Sequence, residues 1–183
     1  MRIVLIIVFL AFLKPLNAQV VTSLVSHFKI MDGLYMHTDG NLFTTPGGLV
    51  GGNTIGRYEP NGNFDPFYSS GFAGPINIAL WKDSFLVVTN YDNNTVSTHN
   101  LFTNNVSILS SGFDGPAGIA IDDNNTIYVT NFGAPPNYNG SSIYQIDSNG
   151  KRIIYIDTAV LIRPQGILFG YNNELIVESQ NEN

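Results

Sequence analysis

The feature that most limits how this chain can fold is a short pattern that returns four times along it. The third copy reads GIAIDDNNTIYVT, and the four copies begin at Gly33, Asn77, Gly118 and Gly166. In every copy a second apolar run starts nine positions after the first residue, at Leu42, Leu86, Ile127 and Leu175. β-Branched and aromatic residues fill the runs, and turn-forming residues separate them, so each copy predicts a β-hairpin.

The spacing of the copies predicts the fold class. The copies begin 44, 41 and 48 residues apart, and the insertion at 134–141 explains the longest interval. A repeat of about 40–50 residues that carries several strands is typical of a β-propeller, whose blades are four-stranded sheets around a central channel. No 3.6-residue apolar period is present, which argues against helical repeats. We therefore expect an all-β fold, a β-propeller of four-stranded antiparallel blades.

The repeat units lie at about 29–71, 72–112, 113–161 and 162–183, which gives about three and a half blades in a domain spanning 19–183. In the first unit residues 64–67 are expected to start a short outer edge, and Pro66 restricts this edge to a peripheral place because proline cannot donate to a strand ladder. Residues 20–28 are predicted to form the outermost strand of a blade. Closed propellers have typically 4–8 blades. The chain is therefore predicted to be part of a six- or seven-bladed ring, either as a fragment or through self-association of two copies.

The first eighteen residues have the pattern of a signal peptide. Arg2 precedes an apolar run at 3–13, and Pro15 and Ala18 follow it. This run is too short to span a bilayer, which takes about 20 residues. We expect cleavage after Ala18, no membrane span afterwards, and a secreted, extracytoplasmic or cell-surface location. A buried strand or an uncleaved anchor are the alternatives.

Composition excludes some functions and adds surface candidates. The chain has 8 Lys and Arg against 14 Asp and Glu, so it lacks the basic surface that nucleic-acid binding needs. It has no cysteine, which excludes disulfides and thiolate metal sites. N-x-Ser/Thr sequons are glycosylation candidates if the host glycosylates, although an Asn-rich chain also produces them by chance. They lie at Asn93, Asn105, Asn124 and Asn139.

The third unit carries the closest family resemblance. Residues 115–131 follow the pattern G-P-x-G-I-A-x-D…I-Y-V-T-N, which resembles NHL repeats and, more widely, SMP-30/gluconolactonase-like and streptogramin-lyase-like propellers. Residues 127–131 and 87–90 are also similar to the YVTN repeat of surface-layer propellers. The resemblance covers about residues 33–183. It implies the propeller fold, but such repeats occur in enzymes, adhesins and scaffolds alike.

The fold places the candidate ligand-binding residues at the mouth of the channel. Propeller ligands gather on the loops that enter each innermost strand and leave each second strand. With the four copies aligned as above, the candidate ligand-binding residues at the mouth are Asn90, Asn131 and Gln165. Asn90 and Asn131 occupy the same position in two units, and that recurrence also predicts a structural role, in which the amide bonds the backbone.

The resemblance also implies a metal site. SMP-30-like hydrolases hold calcium or a similar ion at this mouth with Glu, Asn and Asp, whose oxygens suit a hard cation. Asn77 stands close to the family's metal-binding Asn, and Asp114 in Phe-Asp-Gly-Pro is the nearest counterpart of its Glu-Gly-Pro. The alternative for Asn77 is a turn cap.

The sequence is compatible with two functions. No Gly-x-Ser-x-Gly motif occurs, and the three histidines, His27, His37 and His99, have no metal-ligand spacing. We therefore predict no catalytic residue. The sequence favours a secreted binding or scaffold module that recognises a protein, peptide or glycan. The alternative is a calcium-dependent hydrolase, a lactonase or esterase of the SMP-30 type.

Overall fold

The computed structural model describes residues 32–45 and 52–180, and these residues form β-strands, turns and loops without a helix. Within those ranges, accordingly, no helical segment is long and apolar enough to cross a membrane. The strands are, in chain order, β1 (Leu34–Met36), β2 (Leu42–Thr44), β3 (Thr54–Tyr58), β4 (Phe64–Ser70), β5 (Pro75–Trp81), β6 (Phe85–Asn90), β7 (Thr95–Asn100), β8 (Val106–Ser111), β9 (Pro116–Ile121), β10 (Ile127–Asn131), β11 (Ser142–Ile146), β12 (Arg152–Asp157), β13 (Pro164–Phe169) and β14 (Leu175–Ser179).

The strands form separate antiparallel sheets in chain order. Three sheets have four strands, β1–β4, β5–β8 and β9–β12, and β13 pairs with β14 in a fourth, two-stranded sheet. We call them blades 1 to 4. The predicted all-β fold with four-stranded antiparallel blades is confirmed, and so is the half-blade in the described residues. The predicted signal peptide at 1–18 and the predicted strand at 20–28 lie outside the described residues.

The first strand of each blade lies innermost. β1 is a neighbour of β5, β5 of β9, and β9 of β13, so the four first strands stand side by side. The hydrophobic cores lie between consecutive blades rather than within one sheet. Phe43 and Ile55 pack against Leu86 between blades 1 and 2. Trp81 and Val87 pack against Ile119 and Val129 between blades 2 and 3. Tyr128 and Ile143 pack against Ile167 between blades 3 and 4. Burial of these faces is what holds neighbouring blades together.

The outer strand of blade 1 begins where the sequence predicts an outer edge. β4 runs from Phe64 to Ser70, contains Pro66 and lies at the edge of its sheet. The pairing with β3 is irregular beside this proline, because Arg57 pairs with Asp65 but Ile55 pairs with Ser69. A bulge on an edge strand accepts a residue that cannot donate a hydrogen bond. The strand therefore resumes after Pro66.

Candidate functional site at the channel mouth

Each innermost strand of blades 2 to 4 begins with an irregularity at the same place. In blade 2, Pro75 pairs with Asn90 and Ile78 pairs with Val88, so Ile76 and Asn77 together face Thr89. The same shift occurs between β9 and β10 and between β13 and β14. A bulge leaves backbone groups without ladder partners. These groups lie at the end of the sheets where the second strands finish.

Threonine hydroxyls bond the freed backbone groups and link one blade to the next. Thr89 Oγ1 accepts the N–H of Asn77 at 3.0 Å in its own blade and donates to the carbonyl of Ala117 in blade 3 at 2.6 Å. Thr45 makes the equivalent pair with Gly33 and Ile76, and Thr130 with Gly118 and Gln165. The three threonines are thus equivalent links between blades. In blade 4 the equivalent residue is Glu178, which lies opposite the bulge at Gln165 and Gly166.

The residues that follow these threonines also bond backbone groups. Asn131 Oδ1 accepts the N–H of Asp114 at 2.7 Å, and Asn90 Oδ1 accepts the N–H of Ala73 at 3.3 Å. Ser179 Oγ accepts the N–H of Ile162 in the same way at 2.7 Å. Asn90 is fully buried, and its amide nitrogen donates to hydroxyls of β7. In this arrangement both asparagines hold the loop that enters their own blade.

An aromatic cavity of about 230 Å³ opens at the mouth. Ile76 and Ala117, from two neighbouring bulges, form its apolar base together with Tyr91. Phe132 packs edge-on against Tyr91 and Tyr138, with ring centroids 6.4 and 6.3 Å apart. Polar side chains of Asp32, Gln165 and Gln180 complete the lining. A cavity with an apolar base and a few polar groups is the usual form of a ligand site.

The insertion at 134–141 builds one wall of this aromatic cavity. Asp114 Oδ1 accepts the N–H of Ala134 at 2.9 Å, and the Asp114 carbonyl accepts the N–H of Gly133 at 2.9 Å. At the other end of the loop, Gly140 donates its N–H to the Phe132 carbonyl at 3.0 Å. These bonds close the loop on itself and hold Tyr138 over the cavity.

Tyr91 is the most enclosed ring of the group. Its hydroxyl donates to the Gly133 carbonyl at 2.9 Å, and only 8% of the residue is exposed. Burial raises the pKa of Tyr91 to about 12, and the nearby acidic groups of Tyr138, Asp114 and Asp92 add to the shift. The phenol therefore stays neutral at physiological pH. Its role in the site is that of an apolar surface with one fixed hydrogen bond.

A second, polar cavity of about 240 Å³ adjoins the first and shares Asp32, Ile76 and Gln165 with it. Asn77 and Glu178 line it as well, so two carboxylates and two amides face one space. Asn77 Oδ1 accepts the N–H of Ile78 at 2.8 Å. Glu178 lies against Gly166, where an added Cβ would be 2.9 Å from its Oε2. These four side chains have the oxygen donors that a hard cation prefers.

Of the candidates predicted from sequence, Asn77 and Gln165 line a cavity, whereas Asn90, Asn131 and Asp114 bond backbone groups of loops. Asn77 and Gln165 meet at the polar cavity. Asp114 lines neither cavity, because its carboxylate bonds the insertion loop. In the described part of the chain, no three residues among His, Asp and Glu cluster closely enough to hold a metal ion.

Sequence reasoning missed Asp32, Glu178, Tyr91 and Tyr138 as residues of the mouth. One signal was present for Glu178, which replaces the threonine that the other three units share. The remaining three belong to loops outside the aligned hairpins, so the repeat pattern could not relate them.

The four sequons all lie on exposed loops. Asn93 is in the β6–β7 turn, Asn105 and Asn124 are in hairpin connections, and Asn139 is in the insertion beside the aromatic cavity. Thr95, the hydroxyl residue of the first sequon, donates to Asn93 Oδ1 at 2.7 Å. Their glycosylation stays a prediction.

Comparisons with known proteins bear on the fold. No protein-family model matches the sequence, and no curated protein matches it. Solved structures do match. A virginiamycin B lyase from Staphylococcus aureus is 18% identical with a TM-score of 0.65, over 81% of this chain and 48% of its own. A gluconolactonase from Xanthomonas campestris is 13% identical with a TM-score of 0.67, over 83% and 55%.

A third similar structure is that of a nidogen/laminin complex, 20% identical with a TM-score of 0.67, over 82% of this chain and 57% of the other. The chain thus spans about half the length of the structures it matches. At these identities the likeness concerns fold alone. The chain therefore has the β-propeller fold of gluconolactonases, virginiamycin B lyases and NHL-type repeat proteins, in the form of three four-stranded blades and one two-stranded sheet within its described residues.

Proposed function

We propose that the protein is an exported binding module that holds a group of its partner in the aromatic cavity at the channel mouth. The observation that carries this proposal is the cavity itself, with Ile76 and Ala117 at its base and three aromatic rings around it. Its volume of about 230 Å³ is small, so the group proposed for it is a single aromatic side chain or sugar ring. Polar groups of Gln165 and Gln180 at the rim would orient that ring.

The partner is proposed to be an extracellular protein, a peptide or a glycan. The signal-peptide pattern at 1–18 supports export, to the medium or the cell surface. One structurally similar propeller is found in a complex of nidogen with laminin, which supports a protein partner.

The test uses two small probes, N-acetyltyrosinamide for an aromatic side chain and N-acetylglucosamine for a sugar ring. Methyl signals of Ile76 and Ala117 are followed by NMR while each probe is added at millimolar concentration. We expect saturable shifts at both methyls with at least one probe. The probe that binds distinguishes a peptide from a glycan partner.

Two substitutions provide the comparison. Phe132→Ala removes the central ring of the cavity, and the shifts should be lost. Tyr171→Ala removes a ring that is fully exposed on blade 4 and should leave them unchanged. Absence of shifts with both probes, or equal shifts in Phe132→Ala, would contradict the proposal.

A second candidate function is a calcium-dependent lactonase or esterase, and the polar cavity favours it. Asp32, Asn77, Gln165 and Glu178 line this cavity with carboxylate and amide oxygens. Such residues could hold a calcium ion, which would polarise a lactone carbonyl. A gluconolactonase is among the structurally similar propellers.

Hydrolysis of glucono-δ-lactone with added CaCl₂ or EDTA tests the second candidate. A calcium-dependent rise in melting temperature, with hydrolysis that is lost in Asn77→Ala and Glu178→Gln, would support the enzyme. If calcium changes neither melting temperature nor hydrolysis, the hydrolase candidate is wrong.

A further inference from the structure

Another cavity lies at the other end of the blades. It has a volume of about 470 Å³ and is formed by the β5–β6, β9–β10 and β11–β12 connections. We call it the basal cavity. β5 runs from Pro75 at the channel mouth to Trp81 beside this cavity. At about 3.3 Å per residue, the two sites are roughly 20 Å apart. The basal cavity is therefore separate from the site described above.

Positive charge is concentrated at the basal cavity. Lys82 from blade 2 and Lys151 from blade 3 both line it, and they are the only lysines among residues 32–45 and 52–180. The chain as a whole has a net charge of −6. The β5–β6 and β11–β12 connections thus each place a lysine at the basal cavity of an acidic protein. Asn124, Asn125 and Gln145 add amide groups to the lining.

Two carboxylates near the basal cavity, those of Asp147 and Asp122, accept hydrogen bonds from the backbone of their turns. Asp147, which lines the cavity, accepts the N–H groups of Asn149 and Lys151 with Oδ1, both at 2.9 Å. Asp122 Oδ1 accepts the N–H groups of Asn124 and Thr126 at 2.9 and 2.8 Å. Backbone bonds to a carboxylate stabilise its charge locally. Among the residues that line the cavity, two are lysines and one is an aspartate.

Contacts between blades 2 and 3 fix one wall of the cavity. The indole Nε1 of Trp81 donates to the Asn125 carbonyl at 2.8 Å. Lys82 Nζ lies 3.8 Å from the centroid of the Trp81 ring, and the Lys82 N–H is bonded to Asn125 Oδ1 at 3.3 Å. The amide nitrogen of Asn125 is therefore the part of that side chain left to donate. A cation–π contact and an interblade bond together hold this wall in place.

We propose that the basal cavity binds an acidic sugar, one that carries a carboxylate or sulfate group. The anion would lie between Lys82 and Lys151 and accept from the Asn125 amide. The apolar face of the sugar ring would pack on Ile153, which lines the cavity and is about half exposed. The cavity volume is within the range of small-ligand sites, about 300–1,000 Å³.

The only tryptophan of the chain reports on this site, because Lys82 lies on the ring of Trp81. The experiment follows tryptophan fluorescence of the 183-residue chain produced without glycosylation, since Asn124 is a sequon residue on the cavity wall. Glucuronic acid and a sulfated glucosamine–uronic acid disaccharide are titrated, with glucose and sodium sulfate as comparison arms. We expect a saturable change with the acidic sugars, none with glucose, and at least tenfold weaker binding of sodium sulfate.

Substitution of Lys151 tests whether the acidic sugars bind in the basal cavity. Lys151→Gln removes one proposed anion contact without touching Trp81 and should weaken binding about tenfold, the worth of one charge-assisted hydrogen bond. Arg163→Gln removes the same charge from blade 4 and should leave binding unchanged. The proposal is overturned if neither acidic sugar gives a saturable change, if Lys151→Gln binds as tightly as the original chain, or if sodium sulfate binds as tightly as the sugars.

Discussion

The hydroxyl of Thr89 joins two blades with a single atom. It bonds the Asn77 N–H in blade 2 and the Ala117 carbonyl in blade 3, and both Thr89 and Ala117 are buried. Each bonded group would otherwise be a backbone polar group without a partner in the protein interior. The recurrence of threonine at 45, 89 and 130 was visible in the sequence, but its partners in the next blade were not.

Thr89→Val should lower the free energy of unfolding by about 2 kcal/mol or more, because it keeps the shape of the side chain and leaves two backbone groups unbonded. Thr89→Ser is the matched control. It keeps the hydroxyl and loses one methyl group, which costs about 1 kcal/mol. Urea unfolding of the three proteins measures both differences. If Thr89→Val is as stable as the original protein, the hydroxyl links contribute nothing to stability.

His99 is the buried titratable residue between blades 1 and 2. It is fully buried, neither ring nitrogen has a hydrogen-bond partner in the structure, and its ring packs on Tyr68 at 5.3 Å. Burial lowers the pKa of His99 from its ordinary value of 6.5. The folded protein thus holds the neutral imidazole, and the unfolded chain binds a proton more readily.

Stability should therefore fall as the pH decreases below 6.5, down to the lowered pKa of the folded state, and then level off. Each unit of pKa lowering corresponds to about 1.4 kcal/mol. Melting temperatures between pH 7.5 and 4.5 measure the slope, which should be shallower in His99→Leu. An unchanged slope in His99→Leu would assign the acid sensitivity to other groups.

At the scale of elements, the hairpins followed from the sequence, and of the site only Asn77 and Gln165 did. Turn residues and β-branched runs lie close together in the chain, so the strands and the in-register pairing within each blade could be predicted from local patterns. The channel mouth depends on the side chains of different blades. Tyr91 and Phe132 follow the second strands of blades 2 and 3, and Gln165 lies in the bulge of blade 4. Their meeting depends on how the blades pack, which local patterns do not show. The resemblance suggested Asp114 for a metal, but its carboxylate bonds the insertion loop.

Asp114→Ala should loosen the insertion, because the Ala134 N–H loses its acceptor. We expect amide exchange in residues 133–140 to become about tenfold faster, the effect of one lost hydrogen bond. Hydrogen exchange with mass spectrometry measures it. Asp147→Ala removes a comparable turn-capping carboxylate at the basal cavity and should accelerate exchange at 147–151 only. If the insertion exchanges at the same rate without Asp114, this carboxylate does not hold it.

At the scale of the molecule, apolar surface is exposed on both outer faces of the row of blades. Leu34 and Met36 of blade 1 are 57% and 59% exposed, and Leu168 and Ile176 of blade 4 are 54% and 48% exposed. Between blades, equivalent faces are covered by a neighbour. Exposed apolar faces of this kind favour association.

We expect the 183-residue chain to associate through these faces. Light scattering coupled to size exclusion should show a mass that rises with protein concentration. The double substitution Leu168→Lys and Ile176→Lys should shift the mass towards one chain, because it adds like charges to the blade 4 face. The double substitution Phe102→Lys and Ile108→Lys is the matched control, because both residues are exposed on blade 2. It should leave the mass unchanged. A concentration-independent mass of a single chain would contradict this expectation.

The threonine links give the row of blades a direction. Thr45, Thr89 and Thr130 each offer a hydrogen to a carbonyl of the following blade. Glu178 stands at the same place in blade 4, and an ionised carboxylate can only accept. In blade 4 the side chain at this level therefore offers an acceptor, whereas at the three junctions before it the side chain donates to the next blade. An N–H, a hydroxyl or a cationic side chain of a binding partner would complement that acceptor.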